Sequence, residues 1–496
     1  MKKLLYLIST IAILLSSCSK DFLKTDPHTY TEAVYWKSAT DAEEGLAGAY
    51  SPLQGEEALG GEEWCGMEAF SDIGYLNDNS YTDFLSMAEF RATQNNEGDL
   101  SLNAYKEYYQ TIKRANDVLV NVPDISMDED EKQRILGEAN FLIGYCYFTL
   151  VRRYGGVPLY DPENVDASVS VRATEDETWA AIETALTAAT EQLSYTHDQG
   201  RPGLGAAYGL LAKVYAYEEK WDEAKTAAEV VINSGEHDLY AVYSDLFSLD
   251  HENTTEHLWS LGARYGTYPI TPILYLPNNV WNGNHSESLG AGWRLVSATN
   301  LFYDSYEDGD VRKKATVAKR DVDTVTYNGY TDILQAPNNL SDVVCVKFMQ
   351  PYEDGYTDWT AGLDVPALRY ADVLLIDAEA IMNLNGGGPD NRTVGVPAAA
   401  ESFNKVRERA GLSAIASPTF NDLMYEREME LAFEGGDRHF DLVRWGLAAE
   451  IYNSISAEGT YKPARTFVSP KNDLLPYPQN EIDVSGGTIT QNPGYN

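Results

Sequence analysis

Residues 134 to 154 (RILGEANFLIGYCYFTLVRRY) place apolar side chains at Ile135, Ala139, Leu142, Ile143, Cys146, Leu150 and Val151. That three-and-four spacing is the stripe of a buried helix face and predicts a helix over about 130–154. Gly155 and Gly156 stop it, and Pro158 prevents a restart. The same periodicity predicts further helices near 104–121, 174–194, 203–219, 222–234, 366–384, 397–410 and 420–434. Between the two helical blocks, residues 236–365 are rich in Gly, Pro, Asn and Tyr and hold short β-prone pieces such as 342–349 (DVVCVKFM). The last stretch, 451–496, carries Pro463, Pro470, Pro476, Pro478 and Pro493 and predicts an extended tail wrapped over the body.

One helical pair is more specific. Tyr208, Leu211, Ala212 and Tyr215, followed by Trp221-Asp222-Glu223-Ala224, reproduce the aromatic, leucine, small, tyrosine order of a tetratricopeptide repeat. Small residues at Ala212, Ala224 and Ala228 let two helices cross closely while larger ones fill the flanks. The proline that usually ends such a repeat is replaced by Glu236. One repeat cannot bury its own face, so the pattern implies several degenerate units, echoed at Ile143-Gly144, 367–384 and 397–410. The predicted class is mainly α: a tetratricopeptide-like scaffold over about 30–235 and 366–450, with a loop-rich, partly β insertion over about 236–365.

The amino terminus changes the compartment. Lys2 and Lys3 precede an apolar run, residues 4–15, shorter than the roughly 20 residues a membrane-spanning helix needs, and this is the layout of a signal peptide. Leu15-Ser16-Ser17-Cys18 then looks like the lipobox of a bacterial lipoprotein, with residues 1–17 removed and Cys18 lipidated as the first residue of a single body, 18–496. The expected membrane contact is through that lipid anchor alone. Cys65, Cys146 and Cys345 are too widely spaced for a disulfide framework or a paired metal motif.

Charge excludes one class of partner. With Lys+Arg 37 against Asp+Glu 76, the formal charge is −39, so no nucleic-acid binding is expected. A polyanionic ligand would need a local basic patch, for which Arg264, Arg294, Arg312, Lys313 and Lys314 are the candidates.

Motifs for catalysis and cofactors fail on spacing. His251 and His257 in HENTTEH are six apart, whereas two zinc ligands on one helix face stand four apart. The calcium-loop-like start at Asp304 has Ala315 where a bidentate Glu is required. No nucleophile elbow, P-loop or dinucleotide fingerprint is present, and no metal or cofactor is expected. The densest ionisable run, 425–446 (YEREMELAFEGGDRHFDLVRWG), could supply paired carboxylates for glycosidic chemistry. Its acids and arginines alternate, however, which predicts structural ion pairs at i+3 and i+4 spacing, with Arg438 and Arg444 bracing the double-glycine turn.

Aromatics beside amides remain. Sugar rings present a C–H face that packs on an indole or phenol, while hydroxyl pairs suit planar amides, carboxylates and guanidinium groups. Residues 274–294 supply Trp281, Asn282, Asn284 and Trp293. Residues 64–91 supply Trp64, Asp72, Tyr75, Asn77, Tyr81 and Arg91, and Trp359 is a third contributor. These are the candidate ligand-binding residues, and no catalytic residue is assigned.

Several segments in order carry a resemblance. They are Cys18 with Asp21-Phe22-Leu23; Tyr154-Gly155-Gly156-Val157-Pro158-Leu159; 206–233; and Pro366 through Glu379. Asn404 with Val406-Arg407, Glu434-Gly435 with Arg438 and Asp441-Leu442, and Gln491-Asn492-Pro493-Gly494-Tyr495 complete the set. Together they resemble the SusD/RagB family of outer-membrane nutrient-binding lipoproteins. The resemblance implies a right-handed helical scaffold, an outward-facing outer-membrane lipoprotein, and a SusC-like TonB-dependent outer-membrane transporter as partner. It implies an oligosaccharide, or sometimes a peptide, as ligand. The matching motifs belong to the scaffold, and ligand residues in such proteins lie in variable loops. The expectation is therefore a non-catalytic glycan-binding lipoprotein that delivers oligosaccharides to the transporter. The alternatives are a peptide- or protein-binding surface lipoprotein and a surface glycosidase acting through the acids of 425–446.

Overall fold

A computed structural model describes residues 35–55, 57–76, 82–93, 99–164, 171–263, 295–327, 330–333, 342–348, 362–459 and 462–495. The leader and Cys18 lie outside them.

Several helices begin where the sequence supplies oxygen acceptors for unpaired N–H groups. Ser38 and Asp41 form a reciprocal capping box before α1 (Ala39–Tyr50). α2 (Asp99–Asn121) leads into α3 (Glu129–Tyr154), whose Asp128 side chain accepts from the Glu131 N–H. Thr174 and Glu177 cap α4 (Glu175–Gln192) in the same reciprocal way, and α5 (Leu204–Tyr217) and α6 (Trp221–Ser234) follow. After the insertion come α7 (Tyr370–Leu384), α8 (Ala400–Arg409), α9 (Phe420–Leu431), capped by Thr419 and Asp422, and α10 (Asp437–Arg444).

Each helix packs on its sequence neighbour, α1 on α2, α2 on α3, α3 on α4, α4 on α5 and α5 on α6, and α6 then meets α7 across the insertion. This serial packing is the repeat architecture that the periodicity predicts. The apolar stripe of α3 is buried throughout, as are Ala212, Ala224 and Ala228 between α5 and α6. At Gly144 a Cβ would stand 2.6 Å from a Leu186 methyl, so the missing side chain is what lets α3 and α4 approach.

Among the described residues there are four two-stranded antiparallel ribbons, one of which joins the insertion to a strand of the N-terminal block. β1 (Gly74–Leu76) pairs with β3 (Val296–Ala298), and β2 (His257–Leu261) with β8 (Val365–Arg369). β4 (Val317–Lys319) pairs with β7 (Val343–Cys345), and β5 (Thr324–Tyr327) with β6 (Tyr330–Ile333). β8 corrects the expected helix over 366–384: Val365–Arg369 is strand and the helix starts at Tyr370. Pro366 is tolerated opposite Ser260 because a two-stranded ribbon always leaves one edge unpaired.

The chain beyond 454 lies across the body through specific contacts. Tyr477 and Tyr105 share a hydrogen bond of 2.7 Å, and the Leu475 N–H donates to Arg153 O at 2.7 Å. Arg465 Nη1 donates to the carbonyls of Ala69, Phe70 and Ala88, satisfying backbone acceptors that burial would otherwise strand.

Candidate functional site

The acidic run comes first, because its geometry decides whether carboxylates are free for chemistry. Arg312 is fully buried, with Nη1 2.6 Å from Glu426 and 3.2 Å from Glu430 and Nη2 2.8 Å from Asp310. Arg369 places Nη1 2.5 Å from Glu256 and 2.9 Å from Glu430, and Nε 2.7 Å from Glu434. Arg427 bridges Asp372 and Asp441, Arg444 bridges Glu379 and Asp441, and Arg438 bridges Asp72 and Glu428. Burial alone would raise the pKa of Glu430, but the guanidiniums of Arg409, Arg369 and Arg312 outweigh it and hold the carboxyl well below its usual range. At Glu428 burial wins over Arg438 and raises the pKa to about 7.

These carboxylates are structural, as the alternating signs predict, but the pairing is mostly not local. Arg444 with Asp441 is an i+3 pair, whereas the partners Asp72, Arg312, Arg369, Asp372 and Glu379 come from distant elements. Arg312 is consequently bound up in the interior and unavailable to a basic patch. The turn between α9 and α10 is equally committed. Gly435 has φ +91° and a Cβ there would meet Trp64 Nε1 at 2.3 Å, while Gly436 has φ +78° and abuts Met67.

That turn also locates the candidate aromatics. Trp64 is 5% exposed, packed against Gly435 and edge-on to Phe348 at 6.2 Å. Asp72 accepts Arg438 Nε and Nη2, both at 3.0 Å. Tyr75 is buried in β1 opposite Ser297. The structure thus uses Trp64, Asp72 and Tyr75 to build the body and does not present them to a ligand, in line with the general tendency of large aromatics to be packed. Arg91 is exposed and paired with Glu89, its Nε donating at 2.7 Å. Asn77, Tyr81, Trp281, Asn282, Asn284, Trp293 and Trp359 lie outside the described residues.

The strand register nevertheless fixes where their segments attach. Leu76 pairs with Val296, so the chain leaves for 77–81 beside the point where it returns from 264–294. Leu261 pairs with Val365, and the Ala263 N–H donates to Asp364 Oδ1 at 2.8 Å. The departure into 264–294 therefore stands next to the return from 349–361.

At this second junction is an open cleft of about 530 Å³ lined by Tyr50, Gln54, Gln199, Arg201, Gly262 and Asp364, among others. That volume suits a small-molecule ligand. Its floor is stiff. The Arg201 guanidinium lies 4.6 Å over the Tyr50 ring and reaches Glu43 at 2.8 Å and Glu138 at 3.0 Å, while Tyr50 OH donates to Glu138 at 2.8 Å. The wall is made of amides and acids. Gln54 Nε2 donates to Gly262 O at 2.8 Å, and Asn253 Nδ2 donates to Asp364 Oδ2 at 3.1 Å. Gln199 Nε2 spans Glu252 and Asp364 at 3.3 Å each. Glu252 Oε1 accepts the Asp364 N–H at 2.8 Å. Burial, reinforced by Asp364, raises the Glu252 pKa to about 7, and burial raises Asp364 as well.

Chemically the cleft offers planar groups that both donate and accept, which is what a hydroxyl-rich ligand requires. Sequence reasoning missed it because its residues come from α1, the turn after it, the α4–α5 loop and one end of the β2–β8 ribbon, with no shared local motif. Among the described residues no group of three or more His, Cys, Asp and Glu is placed to hold a metal ion. His257 Nδ1 instead contacts the Thr254 hydroxyl at 3.0 Å, and burial lowers its pKa to about 4. No described helix is long and apolar enough to cross a membrane.

Comparison with known proteins agrees with this architecture. Residues 277–495 match the model of the SusD family, and residues 26–216 match a SusD-like model described as starch-binding associating with outer membrane. A SusD-like protein of Formosa agariphila is 24% identical over 96% of each chain, and one of Bacteroides ovatus is 26% identical over 100% of this chain and 92% of the relative. The fold superimposes on surface glycan-binding protein A from Bacteroides thetaiotaomicron in complex with laminarihexaose, with TM-score 0.75 and 22% identity over 92% of this chain and 100% of that one. A laminarin binding SusD-like protein gives TM-score 0.75 and 24% identity over 93% of this chain and 100% of that one. With both ends of the chain matched by family models and the helical repeat scaffold shared, this chain belongs to the SusD/RagB family.

Proposed function

We propose that this chain is an outward-facing outer-membrane lipoprotein, anchored through Cys18, that captures oligosaccharides and passes them to a partner SusC-like TonB-dependent transporter without cleaving them. The observation that carries the reading is the cleft at Ala263 and Asp364, where the Gln54 and Gln199 amides and the Asp364 carboxylate line the body at the attachment points of 264–294 and 349–361. Those segments carry Trp281, Asn282, Asn284, Trp293 and Trp359, the aromatic and amide groups that suit sugar rings. The relatives support a glycan as the ligand class: one structural neighbour is a complex with laminarihexaose, another is described as laminarin binding, and one family description is starch-binding. A binding role without bond breaking is supported by the acids of 425–446, whose oxygens are engaged by buried arginines.

The test is affinity electrophoresis and calorimetry of the soluble chain against laminarin, starch and their oligosaccharides, with reducing-end release measured in parallel. Retention by at least one glucan with no release of reducing ends is expected. Asp364→Ala and Trp281→Ala should each weaken retention at least tenfold. Retention of peptides with no retention of any polysaccharide would favour the peptide-binding alternative, and glucan hydrolysis that Glu428→Gln abolishes would favour the glycosidase.

A further inference from the structure

A second, much smaller pocket of about 20 Å³ lies inside the body where α3, β2 and the start of α10 meet. Among the described residues, Trp259 Nε1, Thr149 Oγ1 and Arg152 Nε on its lining find no hydrogen-bond partner. Trp259 is 1% and Thr149 2% exposed, so neither is satisfied by bulk solvent. A buried donor without an acceptor is costly enough that native structures rarely keep one.

The chemistry of the three groups discriminates between occupants. Indole Nε1 and guanidinium Nε donate and never accept, and the threonine hydroxyl can donate as well. A water molecule would meet two donors and would have to place its own two hydrogens on the Thr149 or Tyr108 hydroxyl or on carboxylates that are already ion-paired. A monatomic anion accepts from all three and has no hydrogens to place.

The local charge points the same way. Arg152, Arg153 and Lys213 line the pocket against two carboxylates, Glu434 and Asp437. Both carboxylates are already engaged: Glu434 by Lys347 and Arg369, and Asp437 by Arg152 at 2.8 Å and Lys213 at 2.5 Å. The pocket is also small enough to favour a single small species over a larger oxyanion.

We propose that this pocket is a structural halide site that takes chloride, held by Trp259 Nε1, Arg152 Nε and the Thr149 hydroxyl. The ion would tie the first ribbon of the insertion, through Trp259 on β2, to the scaffold helix α3 that carries Thr149 and Arg152. Binding to the folded state alone raises stability with ligand concentration.

The experiment uses bromide, which replaces chloride and scatters anomalously. Crystals of the soluble chain grown in sodium bromide should show an anomalous peak within hydrogen-bonding reach of Trp259 Nε1. In solution, Tm should rise saturably with sodium chloride relative to sodium gluconate at equal ionic strength. Trp259→Phe, which keeps a ring against Phe141 and Tyr145, should abolish that difference. Thr149→Val, nearly isosteric, should reduce it and serves if the first variant folds poorly. An empty anomalous map at this pocket, or identical Tm values in the two salts, overturns the proposal.

Discussion

Arg369→Met tests whether the acids near 425–446 are a structural device. Arg369 is 1% exposed and donates to Glu256, to Glu430 at 2.9 Å, to the Glu430 carbonyl at 3.0 Å and to Glu434 at 2.7 Å from Nε and Nη2. Methionine fills much of the same volume and removes every one of those bonds. The acids do not become wholly unpaired: Glu256 keeps Arg409, Glu430 keeps Arg312 and Arg409, and Glu434 keeps Lys347. The loss should therefore fall at about 3–5 kcal/mol, the range for breaking a buried pair by removing one partner. Unfolding entropy is roughly 2.1 cal/mol/K per residue, which over this chain makes about 1 kcal/mol per degree, so Tm should fall by about 3–5 °C. The assay is differential scanning calorimetry of wild type and variant, repeated in 0.5 M salt as roughly a fivefold increase over ordinary buffer. Salt should leave the difference unchanged, because buried pairs are poorly screened. A solvated acidic face would give about 0–1 kcal/mol and a difference that salt erases. A fall of less than about 1 °C would refute the reasoning.

Other expectations follow from the same geometry. Gly436→Ala should lower stability by about 2–4 kcal/mol, since it adds left-handed strain at φ +78° to a 2.6 Å contact with Met67, and an unchanged urea midpoint would contradict this. Glu252, raised to about 7, binds its proton more tightly folded than unfolded, so its contribution is full in acid and is lost as pH rises from about 4.5 to 7. Glu252→Gln should therefore gain in Tm relative to wild type between pH 5 and 8, by roughly the free energy that titration removes. His439, buried and lowered to about 3, has the opposite sign: the unfolded chain takes up the proton first as pH falls below about 6.5. An apolar replacement, His439→Leu, should accordingly flatten the acid limb of the stability profile between about pH 6.5 and 3, read by urea titration at each pH.

What the sequence made visible was whatever is encoded locally. The α3 stripe and the helix periods that begin near 174 and 420 lie within a few residues of the structure they specify. Residues 365–369 misled because a short apolar run ahead of a helix fits strand and helix alike, and its choice is made by β2, more than a hundred residues earlier. α1 was missed because its Ala- and Gly-rich sequence, ATDAEEGLAGAY, shows little apolar stripe. The site divides the same way. Clustering of aromatics and amides is a local property, but burial is not: Trp64 is sealed by Gly435, and Asp72 is neutralised by Arg438, 366 positions away. The cleft at Tyr50, Gln199 and Asp364 has no linear signature, because the repeat packing and one ribbon assemble it.

The central claim is that the cleft at the β2–β8 junction grips a glycan. Calorimetric titration of laminarihexaose into wild type, Asp364→Ala and Gln199→Ala tests it most directly. The account predicts saturable binding that weakens at least tenfold in each variant while circular dichroism stays the same. Binding of equal strength in all three proteins, or none in any across neutral glucans, would contradict it.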